Sequence, residues 1–182
     1  MIATTVSSIE ELEQIIALQK KNLKQNITVE EKSSQGFVTM EFNLPMLKEL
    51  HALAPDIIIK DGDRLVGYAM VLPLEGRTAY PALEPMFINF EKLNWKGKRL
   101  CDYKFYAIGQ ICIDKAYRGK GLFNMLYEKH RDIYKDQFDF VITEISTGNA
   151  RSLKAHKRIG FKTIDTYRDE IDEWDVVLWD WQ

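Results

Sequence analysis

The sequence predicts an α/β domain with a mixed central sheet flanked by helices, and three observations carry that reading. Through the second half of the chain, β-rich runs alternate with stretches of helical periodicity, the order of a sheet covered on both faces. One run, Phe105 to Asp114, is apolar on both of its faces, as a central strand is. The closing two runs, on either side of Asp169-Glu170-Ile171-Asp172, read as an antiparallel pair, so the sheet is mixed. A length of 182 residues favours one domain over two, spanning residues 1–182.

The elements follow in order. Ser8 and Glu11 have capping-box spacing, and Ile9, Leu12, Ile15, Ile16 and Leu23 recur at helical intervals, which predicts a helix over about 8–25. The polar run Glu30 to Gly36 breaks that pattern, and a shorter helix near 44–54 places Leu44, Leu47 and Leu50 on one side. Ile57-Ile58-Ile59 and the run Leu65 to Val71 flank Asp61-Gly62-Asp63, the signature of a hairpin. Residues 75–103 yield only a helix across 83–93. After the central strand come a helix (about 120–135), a strand (Phe138 to Ser146), a helix (about 149–159) and strands at Phe161 to Tyr167 and Trp174 to Trp181.

Composition narrows the function. With 46% apolar and 29% charged residues, the chain reads as an ordinary globular protein. A net charge of −2 supplies no general attraction to a phosphate backbone, and the basic cluster Lys154, Lys157 and Arg158 reads as a solvated helix face or a phosphate contact. No nucleic-acid partner is expected. No apolar run approaches the roughly 18 residues of a membrane span, and the N-terminus lacks a signal-peptide pattern. Two cysteines are too few for a disulfide framework, so a reduced, cytoplasmic protein is expected. His51 and His130 lack ligand spacing, and no metal site is expected. Trp174, Trp179 and Trp181 read as strand packing.

Two stretches carry chemistry. Tyr117-Arg118-Gly119-Lys120-Gly121-Leu122-Phe123 joins the central strand to a helix. Unpaired N–H groups at a helix start, glycines that admit a close ligand, and the helix dipole together suit an anion, with Arg118 and Lys120 in support. It is neither a Walker loop nor G-x-G-x-x-G. Taken alone, it stays open between a phosphate site and a plain Gly-rich turn. The second stretch runs from Thr143-Glu144-Ile145-Ser146 into Asn149-Ala150-Arg151-Ser152 and on to His156 and Gly160-Phe161. Glu144 shares a strand parity with Phe138, Phe140 and Ile142, where desolvation would raise its pKa toward neutrality. His156 lies seven residues after Asn149, on the same side of the helix. A solvated strand end and a helix-surface histidine are the competing readings.

Together, in this order and spacing, the two stretches resemble the GNAT superfamily of acetyl-CoA-dependent N-acetyltransferases. The loop pattern R/Q-x-x-G-x-G/A falls on Arg118, Gly119, Lys120, Gly121, Leu122 and Phe123. The pattern N-x-x-[AS]-x-x-x-[YH]-x-x-x-G-F matches Asn149, Ser152, His156, Gly160 and Phe161. The resemblance spans the chain and is densest over 105–161. It implies a mostly antiparallel sheet of about six to seven strands with the acyl-CoA N-acyltransferase fold.

Further implications attach to residues. Ile111, Cys112 and Ile113 would pair with the pantetheine arm where the central strand splays from its neighbour, and a main-chain N–H there would polarise the thioester carbonyl. Residues 118–123 would wrap the pyrophosphate, and Asn149 would contact the cofactor. Glu144 stands where similar ribosomal-protein alanine N-acetyltransferases keep a general base, and His156 where they keep a proton-donating Tyr. Phe123 departs from the family's Gly/Ala, and the central-strand base has no counterpart among Ala107, Ile108 and Gln110. Cys112, inside a strand without a triad partner, reads as packing.

The resemblance thus implies direct transfer of acetyl from acetyl-CoA to a primary amine, with an acyl-CoA-binding sensor as the alternative. Acetyl-CoA and an amine acceptor are the expected partners, and a homodimer is left open. An acidic lining from Glu30, Glu31, Glu41 or Glu84 would favour a cationic amine such as a polyamine, an aminoglycoside or a lysine side chain.

Overall fold

Two segments at the N-terminus set up one face of the molecule. In the computed structural model, which describes residues 1–181 (Ser33 by its backbone alone), strand β1 (Ile2–Thr5) leads into helix α1 (Ile9–Asn22). Ser8 caps α1 by accepting a hydrogen bond from the Glu11 amide at 3.3 Å. The reciprocal bond is shifted by one residue, since Glu11 Oε2 accepts from the Ser7 amide at 2.7 Å. The helix stops at Asn22, short of the expected end, because Leu23 turns to extended ψ and bridges Val38. Lys24 N–H donates to the Val38 carbonyl and Val38 N–H to that of Asn22.

The polar run expected to break helical structure instead forms α2 (Val29–Gln35). Thr28 and Glu31 make a complete capping box, a local signal strong enough to start a helix without an apolar stripe. Helix α3 (Leu44–Leu53) follows with an Asn43 cap and buries Leu47 and Leu50, as expected. Strands β2 (Ile57–Asp61) and β3 (Arg64–Pro73) form the expected hairpin, with Gly62 at φ +59° in its turn. The less readable stretch holds helix α4 (Glu84–Lys92) and a two-residue pair, β4 (Asn94–Trp95) and β5 (Lys98–Arg99), closed by Lys96 and Gly97 at positive φ.

The remaining elements match the expected order within one to two residues: β6 (Phe105–Ile113), α5 (Leu122–Tyr134), β7 (Phe140–Ser146), α6 (Ala150–Ile159), β8 (Lys162–Arg168) and β9 (Glu173–Asp180). Seven strands form one sheet in the order β1-β2-β3-β6-β7-β9-β8, and only β6 and β7 run parallel. The sheet is therefore mixed and mostly antiparallel, with β6 at its centre.

The two faces carry separate apolar cores. One packs α1, α3 and α4 against Tyr68, Met70, Ala107, Phe140, Ile142 and Val176. The other packs α5 and α6 against Ile57, Val71, Tyr106, Val141 and Val177. Each fully buried aliphatic or aromatic side chain contributes about 1.5–3 kcal/mol, so both layers hold the central strand rigidly. Among the described residues, no helix is long and apolar enough to cross a membrane.

Candidate active site

The site begins where two central strands part. Strands β6 and β7 pair only over Phe105–Ala107 and Phe140–Ile142. Beyond that point the Thr143 hydroxyl bonds the Ile108 carbonyl at 2.9 Å, substituting a side chain for the lost ladder bond. Opposite the gap, β3 and β6 shift register between Ala69 and Val71, where Gly109 and Gln110 face the single Met70. A bulge bends the strand that carries it, and β6 parts from β7 along the same stretch. Ile111, Cys112 and Ile113 still pair with Ala69, Tyr68 and Gly67 on one side, while their other edge no longer meets β7. An open edge of this kind can bond an extended ligand as an added strand would.

The loop from β6 to α5 closes one end of that edge. Gly119 and Gly121 stand at φ +78° and +79°, a region that side-chain-bearing residues rarely enter. A Cβ at either would meet nothing within 4 Å, so conformation rather than space requires glycine there. Ser8, Thr28, Asn43 and Asn149 cap α1, α2, α3 and α6 through their side chains, while α4 and α5 have no side-chain cap. The first N–H groups and dipole of α5 can hold an anion.

A cavity of about 350 Å³ runs from this helix start along the open edge. Of the residues singled out in the sequence, Ile111, Cys112, Ile113, Arg118, Gly119, Gly121, Leu122, Phe123 and Asn149 line it; Lys120 instead lies over the Tyr117 ring at 4.9 Å. The far wall is a segment that sequence reasoning passed over, Gln35 to Val38. Gly36 there is at φ +72°, and a Cβ on it would lie 3.0 Å from Asn149 Oδ1.

Two of the predicted contacts prove to brace this wall. Arg118 donates to the carbonyls of Ile113 and Gln35, to Gln35 Oε1 and to Asn22 Oδ1, tying α1 and α2 to β6. Asn149 caps α6 through Oδ1 and donates from Nδ2 to the Phe37 carbonyl at 3.1 Å. The cations that reach the cavity from α6 are Arg151 and Arg158. Of the basic cluster read in the sequence, Lys154 and Lys157 are exposed and line neither cavity.

A second cavity of about 90 Å³ lies beyond the gap and shares Phe37, Val38, Ile111, Asn149 and Ser152 with the first. Glu144 and His156 both line it, from opposite faces of the sheet: Glu144 on the side of Phe140 and Ile142, His156 among Phe123, Tyr127 and Phe161. Glu144 Oε2 accepts a hydrogen bond from the Tyr167 hydroxyl at 2.5 Å. Burial pushes its pKa up to about 7, the Tyr167 bond opposes that rise, and the Asp169 charge adds to it. Tyr167 is a partner the sequence reading missed.

His156 is only 2% exposed, and both of its nitrogens are occupied. Nδ1 lies 2.9 Å from the Ser152 carbonyl, an acceptor only, so the proton sits on Nδ1. Nε2 then accepts from the Tyr127 hydroxyl at 2.6 Å. Burial pulls the imidazole pKa down to about 4, so the ring is neutral at pH 7 and neither nitrogen offers a proton to the cavity. Cys112 is buried, with its thiol pushed up to about 12 by desolvation, consistent with packing.

None of Glu30, Glu31, Glu41 and Glu84 lines either cavity. Glu31 pairs with Lys115, and Glu84 with Arg77 at 2.7 Å, because exposed carboxylates on α2 and α4 find nearby cations. The expected acidic lining is therefore absent from the second cavity's walls.

Comparison with known proteins places this geometry. A family model described as the acetyltransferase (GNAT) family matches residues 23–161. No curated protein matches the sequence significantly. Among solved structures, a GNAT-family acetyltransferase from Streptococcus agalactiae aligns with a TM-score of 0.68 at 13% identity, covering 100% of this chain and 95% of that one. The yncA protein of Salmonella typhimurium, solved with its cofactor acetyl-CoA, aligns with a TM-score of 0.64 at 12% identity, covering 100% and 94%. The ribosomal-protein-S18-alanine N-acetyltransferase of Escherichia coli aligns with a TM-score of 0.61 at 10% identity, covering 98% and 92%.

Proposed function

The chain belongs to the acetyltransferase (GNAT) family, and on that premise we propose that it moves the acetyl group of acetyl-CoA to a primary amine by direct attack, with Glu144 as general base. The observation that carries this reading is the half-buried Glu144 carboxylate, poised near pH 7 beside the gap between β6 and β7.

The residues divide the work as follows. The start of α5, with Gly119 and Gly121 and with Arg151 and Arg158 nearby, holds the pyrophosphate and phosphate groups. Ile111 to Ile113 take the pantetheine arm along the open edge, and a main-chain N–H there faces the thioester carbonyl. Arg118 and Asn149 hold the wall that keeps the arm in place. Glu144 takes a proton from the incoming ammonium group, since only a neutral amine can attack. Nitrogen then bonds to the acetyl carbon, the carbon–sulfur bond breaks, and the second nitrogen proton passes to the sulfur. That proton comes from the attacking group itself, so no separate acid is required. His156 is a positioning residue that anchors α6 to Tyr127.

The test is release of free thiol from acetyl-CoA across a panel of amines. Thiol release that requires an amine, with acetylated amine formed in equal amount, supports the reading. Release at the same rate without amine would replace transfer with hydrolysis.

A further inference from the structure

Resting on the transfer reading above, we propose that the acceptor is a compact, apolar primary amine carrying one cationic centre, not a polyamine or another polycation. The second cavity is walled by Met40, Leu83, Met86, Ile108 and Trp174, and Glu144 is the one carboxylate among its lining residues. A polycation would need further anionic partners, and the walls supply none. Three of the other polar side chains there are already engaged. Gln110 donates to the Met40 carbonyl and accepts from Tyr68, Thr143 bonds Ile108, and Ser146 bonds Asp172. Among the described residues only Tyr167 bonds the Glu144 carboxylate, through Oε2, which leaves Oε1 for one ammonium group.

Size sharpens the class. The cavity is small, about 90 Å³ against about 150 Å³ for one that encloses benzene, so its walls favour a short alkyl group. Each methylene buried against these walls strengthens binding roughly fourfold, and a charged substituent there would lose its hydration without a partner. Leu83 and Met86 come from the segment between β3 and β6 and line the cavity.

The experiment compares isobutylamine, phenethylamine and spermidine with the full chain. Amine-dependent turnover is measured with acetyl-CoA, and amine binding to the CoA-loaded protein by calorimetry. The expected result is a kcat/KM for isobutylamine at least tenfold above that for spermidine. In Met86→Ala the preference should shift toward phenethylamine, while a merely structural role for Met86 would lower all three equally. Spermidine preferred over isobutylamine, or a ratio unmoved by Met86→Ala, would overturn the inference while leaving transfer intact. Isobutylamine that binds while none of the three amines is acetylated would overturn the transfer reading and leave the cavity's preference for a compact apolar amine standing. Failure of isobutylamine to bind at all would overturn the inference.

Discussion

Tyr167 reaches Glu144 across an intervening strand, its hydroxyl donating to Oε2 at 2.5 Å from β8 while β9 lies between β8 and β7. The bond fixes Oε2 and, among the described residues, leaves Oε1 without a bond. It also stabilises the ionised form against burial, holding the pKa below where desolvation alone would take it. Tyr167→Phe should therefore move the acidic limb of the pH–kcat/KM profile upward. A hydrogen bond to a charged group is worth about 1.5–3 kcal/mol, or roughly one to two pH units. CoA affinity, measured by calorimetry, should not change. A limb that stays in place would detach Tyr167 from the base.

Gly121→Glu tests the anion site. The position sits at φ +79°, where a side chain costs about 1–2 kcal/mol, and the new carboxylate would occupy the start of α5 in place of phosphate. Calorimetry should show CoA affinity falling at least a hundredfold while circular dichroism reports an intact fold. Unchanged affinity would move the anion site elsewhere.

Phe123 packs edge-on against both Tyr127 and His156, with centroids 5.1 and 5.0 Å away. Its ring therefore supports α5 and α6 from beneath the loop. Phe123→Gly should lower unfolding free energy by about 2–4 kcal/mol in urea titrations. CoA binding should stay similar or tighten. Collapse of binding without loss of stability would make the ring a ligand contact instead.

Asp56 gives a pH signature independent of the site. It is buried, Oδ1 accepts from the Val71 amide at 2.7 Å, and no partner for Oδ2 is found among the described residues. Burial raises its pKa to about 7. The unfolded chain releases that proton near an ordinary value of about 3.9, so the folded state holds it more tightly in between. Stability is lost as pH rises from about 4 to 7, by at most about 1.4 kcal/mol per pH unit for one proton. Glu144 adds in the same direction, while His156 and His130, held neutral by burial, act oppositely. The difference between wild type and Asp56→Asn isolates the first term: the unfolding free energy of the variant should gain on wild type across that window. A constant difference would mean that Asp56 does not titrate there.

The sequence disclosed the elements whose period is set by burial. α1, α3, β2, β3, β6, α5, β7 and β9 have an apolar face to show. What stayed hidden has a different physical origin. α2 is held by its Thr28–Glu31 cap and by Arg118 and Arg151 bonds to its end, not by an apolar stripe. Strand β1 is four residues long, at the sheet edge, and mostly unburied. At the site, the glycine loop and Glu144, which line the two cavities, could be singled out because the patterns that mark them are local. The Tyr167 bond was not, since it depends on β9 separating β8 from β7. Nor did spacing reveal that Arg118, Asn149 and His156 would turn their polar atoms inward; that depends on where Gln35, Phe37 and Tyr127 come to rest.

The central claim is that Glu144 accepts the amine proton, and Glu144→Gln tests it most directly, since it keeps the shape and removes the basicity. Turnover of the variant and wild type should be measured from pH 6 to 10 on an amine the protein acetylates, alongside CoA affinity. The account predicts that turnover at pH 7 falls by about a hundred- to ten-thousand-fold with CoA affinity retained, and that the deficit narrows as solvent supplies neutral amine at higher pH. Wild-type turnover in the variant at pH 7 would contradict it.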